Sequence, residues 1–401
     1  MAGQLIPPSS SRLLAPRSKL AMHIYFFNSA VAELYQNDII PIAEGLKELG
    51  YSFSARHDYW REEPGGDFLF KAAPEVIPEE CDLVIGTFML FGISKRNQAE
   101  EQSKFVSLLR KRSAKTKVVF IDDSDGYTTP SWCPEFRGCD LICRTKYNTR
   151  AYAPKNVRPW AIGLTNRTLR MATSVPEPVE RRSAIYVNYG ASHPFEHTTR
   201  LKAKTLLHPA LTPELETYQP PFAELSLPPE DPYDRLMWEQ TSKRHSRVYF
   251  ERMKSCLVSS AFCGDEIPAA PWNPQGYCVG GGKARLKRIC FDAVQRFDPR
   301  PLRVISGDSF RFWESLACGT MPMQVDFEHY GLKMPEQPRP FKHYLPVRLD
   351  DISGSAVRIK KILGRIPAFA SEAREWALSN YSPTVSANRV LSLLWNNEAR
   401  A

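Results

Sequence analysis

Two tracts in which short apolar runs alternate with helical spacing, parted by the Pro/Glu/Arg-rich stretch Val175–Arg182, constrain this chain more than any other feature. In the first tract Met22–Asn28, Asp82–Thr87, Lys117–Asp122 and Asp140–Cys143 carry apolar runs, and Tyr51–His57 is a plausible further strand. That pattern predicts strands buried on both faces. Between them Ile39, Ile42, Ala43, Leu46 and Leu49 fall on one face of a helix expected over Val31–Leu49, which Gly50 ends. Glu100–Arg112 repeats the pattern, with Phe105, Leu108 and Leu109 inward. Doubly buried strands alternating with helices make a parallel sheet covered on both sides.

The second tract reads as strand Ala184–Gly190, helix His197–Leu207, helix Tyr233–Met253, strand Ser255–Phe262, helix Asp308–Cys318, strand Met321–Val325 and helix Ile352–Leu363. Two closing helical stretches, Phe369–Leu378 and Thr384–Trp395, have no strand between them. Seven prolines from Pro209 to Pro232 predict an irregular insertion, and Cys263–Gly282 a long Gly/Pro-rich loop. Residues 1–21 contain Arg12, Arg17 and Lys19 without an acid and are expected to form a flexible tail. The organisation expected is thus a tail over 1–21, a Rossmann-like domain over 22–180, a second over 181–365, and helices over 366–401. The fold class is α/β, with two Rossmann-like domains facing across a cleft.

A chain of 401 residues suits two domains, and 43% apolar with 24% charged residues is a globular composition that excludes disordered and collagenous classes. No apolar run approaches roughly 18 residues, so no membrane-spanning helix is expected. Nine scattered cysteines without a Cys-x-x-Cys pair fit free thiols in the cytoplasm rather than a disulfide scaffold. The formal net charge of +9 points to anionic partners: nucleotide diphosphates, nucleic acid, or peripheral contact with an anionic membrane.

The most informative segment is Asp308-Ser-Phe-Arg-Phe-Trp-Glu-Ser-Leu-Ala-Cys-Gly-Thr-Met-Pro322. Asp308 or Ser309 is a good N-cap, because its side-chain oxygen accepts from orphan amides of the first turn. Arg311 and Glu314 share a face, Trp313, Leu316 and Ala317 anchor the other, and Gly319 stops the helix. A helix start facing a crevice is a ready anion site, and a carboxylate one turn in can accept two hydrogen bonds from a vicinal diol such as a ribose. An ordinary amphipathic helix with an Arg–Glu surface pair has the same spacing.

This pattern, Ser309-x-Arg311-x-x-Glu314-x-Leu316-x-x-Gly319-x-x-Pro322, resembles the donor-site motif of exostosin-like glycosyltransferases, which have the two-domain GT-B fold. Met253–Leu257 and Ala184–Arg200 resemble the family's strand lead-in and its first strand–Gly–loop–helix unit, so the resemblance spans the second half of the chain. It implies that Glu314 holds the ribose of a nucleotide sugar, with Arg311 and the Ser309 turn near the diphosphate. It also implies that the closing helices, around Trp376 and Trp395, cross back onto the first domain. Many retaining enzymes of this fold carry a second acid at the place held here by Ser306, which leaves the stereochemistry open.

Other residues add to the site. Asp122-Asp-Ser-Asp-Gly126 lies at the carboxyl end of a predicted parallel strand, where ligands bind in open α/β sheets. Asp123 and Asp125 are candidates for the base that takes the acceptor's proton. The same Asp-x-Asp spacing also suits a divalent metal, or a plain acidic turn. Gly190 lets backbone amides approach a phosphate, and His193 is a candidate proton donor or diphosphate ligand, or a solvated loop residue. Gly280-Gly-Gly-Lys283 lacks the remaining P-loop residues, but Lys283 can reach a diphosphate or lie on a solvated basic face with Arg285, Lys287 and Arg288. Cys133, Cys139 and Cys143 lack zinc spacing. The expected function is metal-independent glycosyl transfer from a nucleotide sugar to a hydroxyl of a glycan or other acceptor, with no resident cofactor. The alternatives are a basic nucleic-acid-binding protein, resting on Arg110–Lys117 and Lys283–Arg288, and a non-catalytic chain of the same fold.

Overall fold

A computed structural model describes residues 22–28, 38–87, 95–122, 134–150, 153–189, 198–221, 227–243, 245–267, 303–305 and 307–395. Six parallel strands form the first sheet: β1 (Ile24–Phe27), β2 (Phe53–Ala55), β3 (Leu83–Thr87), β4 (Lys117–Asp122), β5 (Leu141–Arg144) and β6 (Val157–Pro159), in the order β2-β1-β3-β4-β5-β6. Five parallel strands form the second: β7 (Arg182–Tyr186), β8 (Glu216–Tyr218), β9 (Cys256–Ser260), β10 (Met321–Val325) and β11 (Leu345–Val347), in the order β8-β7-β9-β10-β11. Both orders reverse beside their first strand, so each sheet has one switch point: β1/β3 in the first and β7/β9 in the second.

The apolar runs become strands because each side of the sheet has a cover. Ile24, Phe26, Ile85, Val119 and Ile121 enter one core, and Tyr25, Phe27, Val84, Val118 and Phe120 the opposite one. Helix α1 (Ile40–Glu48) covers the first side, while α2 (Lys95–Lys111) brings Phe105 and Leu108 to the second. Helix α3 (Asn166–Ser174) is capped by Thr165, whose hydroxyl accepts from the Thr168 amide. It already packs in the second core, with Ala161, Ile162, Leu164, Met171 and Ala172, ahead of the Val175–Arg182 stretch.

Several elements depart from the sequence expectation. The region expected as one helix over Tyr233–Met253 is two. After α4 (Thr198–Lys202), a wider turn Ala203–Leu207 and α5 (His208–Leu211), the chain forms α6 (Pro232–Gln240) and α7 (Arg247–Lys254). Ser242 and Lys243 break it, with φ of 54° and 58°. The proline-rich insertion contains β8, which tolerates flanking prolines because it is an edge strand with one ladder to make. A hairpin of Tyr59–Arg61 with Phe68–Phe70 also went unpredicted. The tail 1–21, most of the expected loop after Cys263, and Ser306 lie outside the described residues.

The two lobes are joined at several points. Leu332–Lys333 pairs antiparallel with Tyr147–Asn148, and Gln240 exchanges two hydrogen bonds with the backbone of Arg61 (2.6 and 2.9 Å). Helices α8 (Phe310–Ala317), α9 (Ile352–Lys360) and α10 (Ile366–Tyr381) belong to the second core. The last helix, α11 (Pro383–Trp395), crosses over: Ala387, Val390 and Leu394 lie in the first core against α1. Among the described residues no helix is long and apolar enough to cross a membrane.

The crossover depends on Gly45. A Cβ there would stand 2.0 Å from the Pro383 carbonyl oxygen, so backbone meets backbone with no space for a methyl group. Gly45→Ala is therefore expected to destabilise the chain by about 1–3 kcal/mol through overpacking. Thermal unfolding checks this: an unchanged melting temperature would mean that α11 does not approach α1 so closely.

Candidate functional site

The carboxyl edge of the second sheet concentrates the chemistry. Ser309 caps α8: its Oγ accepts from the Phe312 amide (3.3 Å) and donates to the Ala261 carbonyl (3.0 Å), just past the end of β9. Asp308, the alternative cap, has another task. Its buried Oδ2 accepts from the Ile162 amide (2.6 Å) and the Trp313 indole (2.7 Å), which fastens α8 to the segment arriving from the first lobe. At the other end Gly319 takes φ of +61°, and Arg181 donates to the Cys318 carbonyl and Thr320 hydroxyl.

Arg311, in the first turn of α8, spans the switch point. Its Nη1 donates to the Asn188 carbonyl beyond β7 (3.4 Å) and its Nη2 to the Phe262 carbonyl beyond β9 (3.2 Å). Arg200 also donates to the Phe262 carbonyl, through Nε at 3.1 Å. The two guanidinium carbons lie 5.3 and 5.4 Å from the centre of the Tyr189 ring. That ring is fixed from below: its hydroxyl is 2.8 Å from Ser260 Oγ, which is 3.1 Å from Nε2 of buried His208. Burial pushes the His208 imidazole down to about 4, so it is neutral near pH 7. Two cations, a helix start and two strand ends thus converge where the strand order reverses. An anion there would meet charge and dipole of favourable sign.

Glu314 lies one turn deeper and is only 1% exposed. Its Oε1 accepts from Arg167 of α3 (2.7 Å), and its Oε2 from the Tyr249 hydroxyl of α7 (2.7 Å). Nδ1 of His245 lies 3.0 Å from Oε1, and the His245 ring stacks on Tyr249 at 4.5 Å with planes 10° apart. The carboxylate expected to accept a ribose diol therefore spends both oxygens on protein donors and opens no edge to a groove. The physical reason is α8 itself, which is buried nearly all round between the sheet, α3, α7 and α10 and has no solvent face for an Arg–Glu pair. Burial alone would raise the Glu314 pKa, but His245 and Arg167 together hold it well below the usual carboxylate range. Burial pushes His245 down against the opposing pull of Glu314. The stable arrangement is an ionised Glu314 beside a neutral imidazole, whose buried Nδ1 makes no aligned hydrogen bond.

Of the residues expected at the site, the structure brings together Ser309, Arg311 and Glu314. Asp123, Asp125, Gly190, His193 and Lys283 lie outside the described residues; Asp122, which precedes the pair, ends β4 with an ion pair to Arg144 at 2.7 Å. Arg200, Tyr189, Arg167, Tyr249 and His245 were not singled out from sequence. They carry no motif of their own, and only the fold makes them neighbours. Among the described residues no group of three His, Cys, Asp or Glu side chains could hold a metal ion.

No family model matches the sequence, and no curated protein matches it. Solved structures do. An alpha-glucosyltransferase in complex with UDP and a mismatch-containing 13-mer DNA superposes with a TM-score of 0.50 at 13% identity, over 93% of this chain and 99% of the other. The alpha-glucosyltransferase complex with UDP-glucose and abasic DNA gives 0.50 at 12%, over 93% and 99%. The chain has the GT-B fold. The Anabaena protein HepE, solved with UDP-glucose, aligns at 0.45 and 9% identity over 94% of this chain and 100% of its own.

The Glu314 network is open to a direct test. Arg167→Met leaves a buried carboxylate without its cation, so a loss of about 3–5 kcal/mol is expected in urea unfolding, with Glu314→Gln costing less. Glu314's folded pKa lies below its ordinary value of 4.5, so its stabilisation is complete above that value and fades as pH falls toward the folded pKa. Below about pH 5 the native chain should lose stability more steeply than Glu314→Gln. Parallel curves would show that Glu314 does not titrate with unfolding.

Proposed function

We propose that this protein is a glycosyltransferase that binds a nucleoside-diphosphate sugar at the carboxyl edge of its second sheet and transfers the sugar to a hydroxyl of a glycan or other acceptor. The observation that carries the reading is Arg311 bridging the ends of β7 and β9 at the switch point, with Arg200 on the same carbonyl and ring. In open α/β sheets this crevice is where nucleotides bind. The diphosphate would lie against Arg311 and the start of α8, and the developing charge on the leaving group would be met there by fixed cations and amides. Domain closure over the donor would keep water from competing. This chemistry needs no resident metal, because cationic side chains supply the compensating charge.

In this reading Asp123 and Asp125, which follow β4 in sequence, would take the proton of an acceptor hydroxyl. Gly190, His193 and Lys283 would contact the diphosphate. The Ser309–Pro322 pattern supports an exostosin-like origin. UDP is the first nucleotide to test, since the alpha-glucosyltransferase of the same fold was solved with it. That structure also contains DNA, and with the +9 charge of this chain it makes a nucleic-acid acceptor the second reading.

Thermal-shift measurements against UDP, GDP, CMP and dTDP test the donor site. At one hundred times its Kd a ligand specific to the native state adds about 2.7 kcal/mol of stability, a readily measured rise in Tm. UDP is expected to give such a rise, and Arg311→Ala to weaken it at least tenfold in affinity. No shift from any nucleotide would overturn the reading.

A further inference from the structure

A lysine of the first lobe is carried to the start of α8. Lys146 follows the end of β5 by two residues, at the carboxyl edge of the first sheet, and takes φ of 54°. A lysine adopts that left-handed conformation only where its neighbours hold it there. They hold it from both sides. Before it, the Thr145 amide and hydroxyl both donate to the Asp122 carbonyl at the end of β4 (3.2 and 3.3 Å). After it, Tyr147–Asn148 pairs with Leu332–Lys333 of the second lobe, and the Asn148 side chain donates to the Tyr330 carbonyl (3.2 Å).

The Lys146 stem lies on Gly307. A Cβ at that glycine would stand 2.6 Å from Lys146 Cγ and 3.1 Å from its Cα, so a bare glycine is what admits the lysine. Gly307 in turn belongs to the working edge of the second sheet. Its carbonyl accepts from Gln324 Nε2 (3.1 Å) and Cys263 Sγ (3.4 Å), and the same Gln324 nitrogen donates to the Ala261 carbonyl (2.7 Å). Phe262, between Ala261 and Cys263, carries the carbonyl shared by Arg311 and Arg200. The stem is therefore seated on the residue before Asp308 and Ser309, beside the strand end that anchors both arginines. Its charge reaches buried Asp308, where it is the largest influence opposing the upward push of burial on that carboxyl.

We propose that Lys146 is a diphosphate-binding residue, its ammonium meeting the phosphate oxygens of the bound nucleotide from the first lobe while Arg311 and the start of α8 meet them from the second. The proposal rests on the donor-site reading above and adds to it a contact from the other lobe. The chemistry selects the partner. An ammonium on a flexible four-carbon stem is a compact charge with three donors and no acceptor, suited to phosphate oxygens. A ribose or a base edge offers it no opposite charge. Because the backbone on either side of Lys146 is already bonded to both lobes, little ordering remains to be done when the ligand arrives.

The test compares UDP with uridine, which keeps the base and the ribose and loses both phosphates. Lys146→Met retains the stem on Gly307 and removes the charge. It is expected to weaken UDP and pyrophosphate about tenfold in equilibrium titrations and to leave uridine unchanged. If Lys146 served only Asp308, UDP and uridine would weaken alike; that result, or no loss for UDP, would overturn the role of Lys146. Failure of the native chain to bind UDP, GDP or pyrophosphate would instead sink the donor site itself and this proposal with it. A measurement on the native protein guards against a variant that does not fold. Acetylation of its lysines by acetic anhydride, read peptide by peptide in a mass spectrometer, should be slowed at Lys146 by UDP and by pyrophosphate but not by uridine. The same rate at Lys146 with and without UDP, or equal protection by uridine, would overturn the proposal.

Discussion

The ion pair between Glu314 and Arg167 sets the geometry of everything around it. A carboxylate and a guanidinium, each 1% exposed, would be costly to bury apart, and the pairing is tolerable only with good geometry and satisfied oxygens. Both conditions are met by recruiting α3, α7 and α8 at once. The three helices cannot slide relative to one another without stripping a buried charge of a partner. That restraint fixes how far α8 rises toward the sheet edge, and hence where Ser309 and Arg311 stand.

The working edge is correspondingly over-determined. Arg311 is tied to two strand ends, Ser309 to a third carbonyl, and Tyr189 is held through Ser260 to neutral His208. Asp308 adds a bond from the Ile162 amide, in the segment arriving from the first lobe, so the edge and that connection share one buried side chain. A site built from groups already held in place loses little entropy when an anionic ligand arrives.

Much of this was legible in the chain because parallel strands leave a blunt signature. Lys117–Asp122 and Met321–Val325 occupy the residues expected of them, and Ser309 and Gly319 bound α8 as their side chains dictate. What stayed hidden depends on distance in sequence. Nothing near Glu314 announces Arg167, 147 residues away, so a carboxylate that is buried and paired read as one facing a groove. The break between α6 and α7 was missed because Ser242 and Lys243 take a left-handed conformation without a glycine to mark it. Strand β8 was lost among prolines that rule out a central strand and permit an edge one.

The exchange of α11 between lobes has a consequence for how the chain reaches this shape. The first hydrophobic core includes Ala387, Val390 and Leu394, so its apolar wall stays uncovered until those residues have left the ribosome. The amino-terminal half cannot mature ahead of the rest in the usual vectorial order. It must wait, with a greasy flank open to chaperones, until Leu394 has emerged.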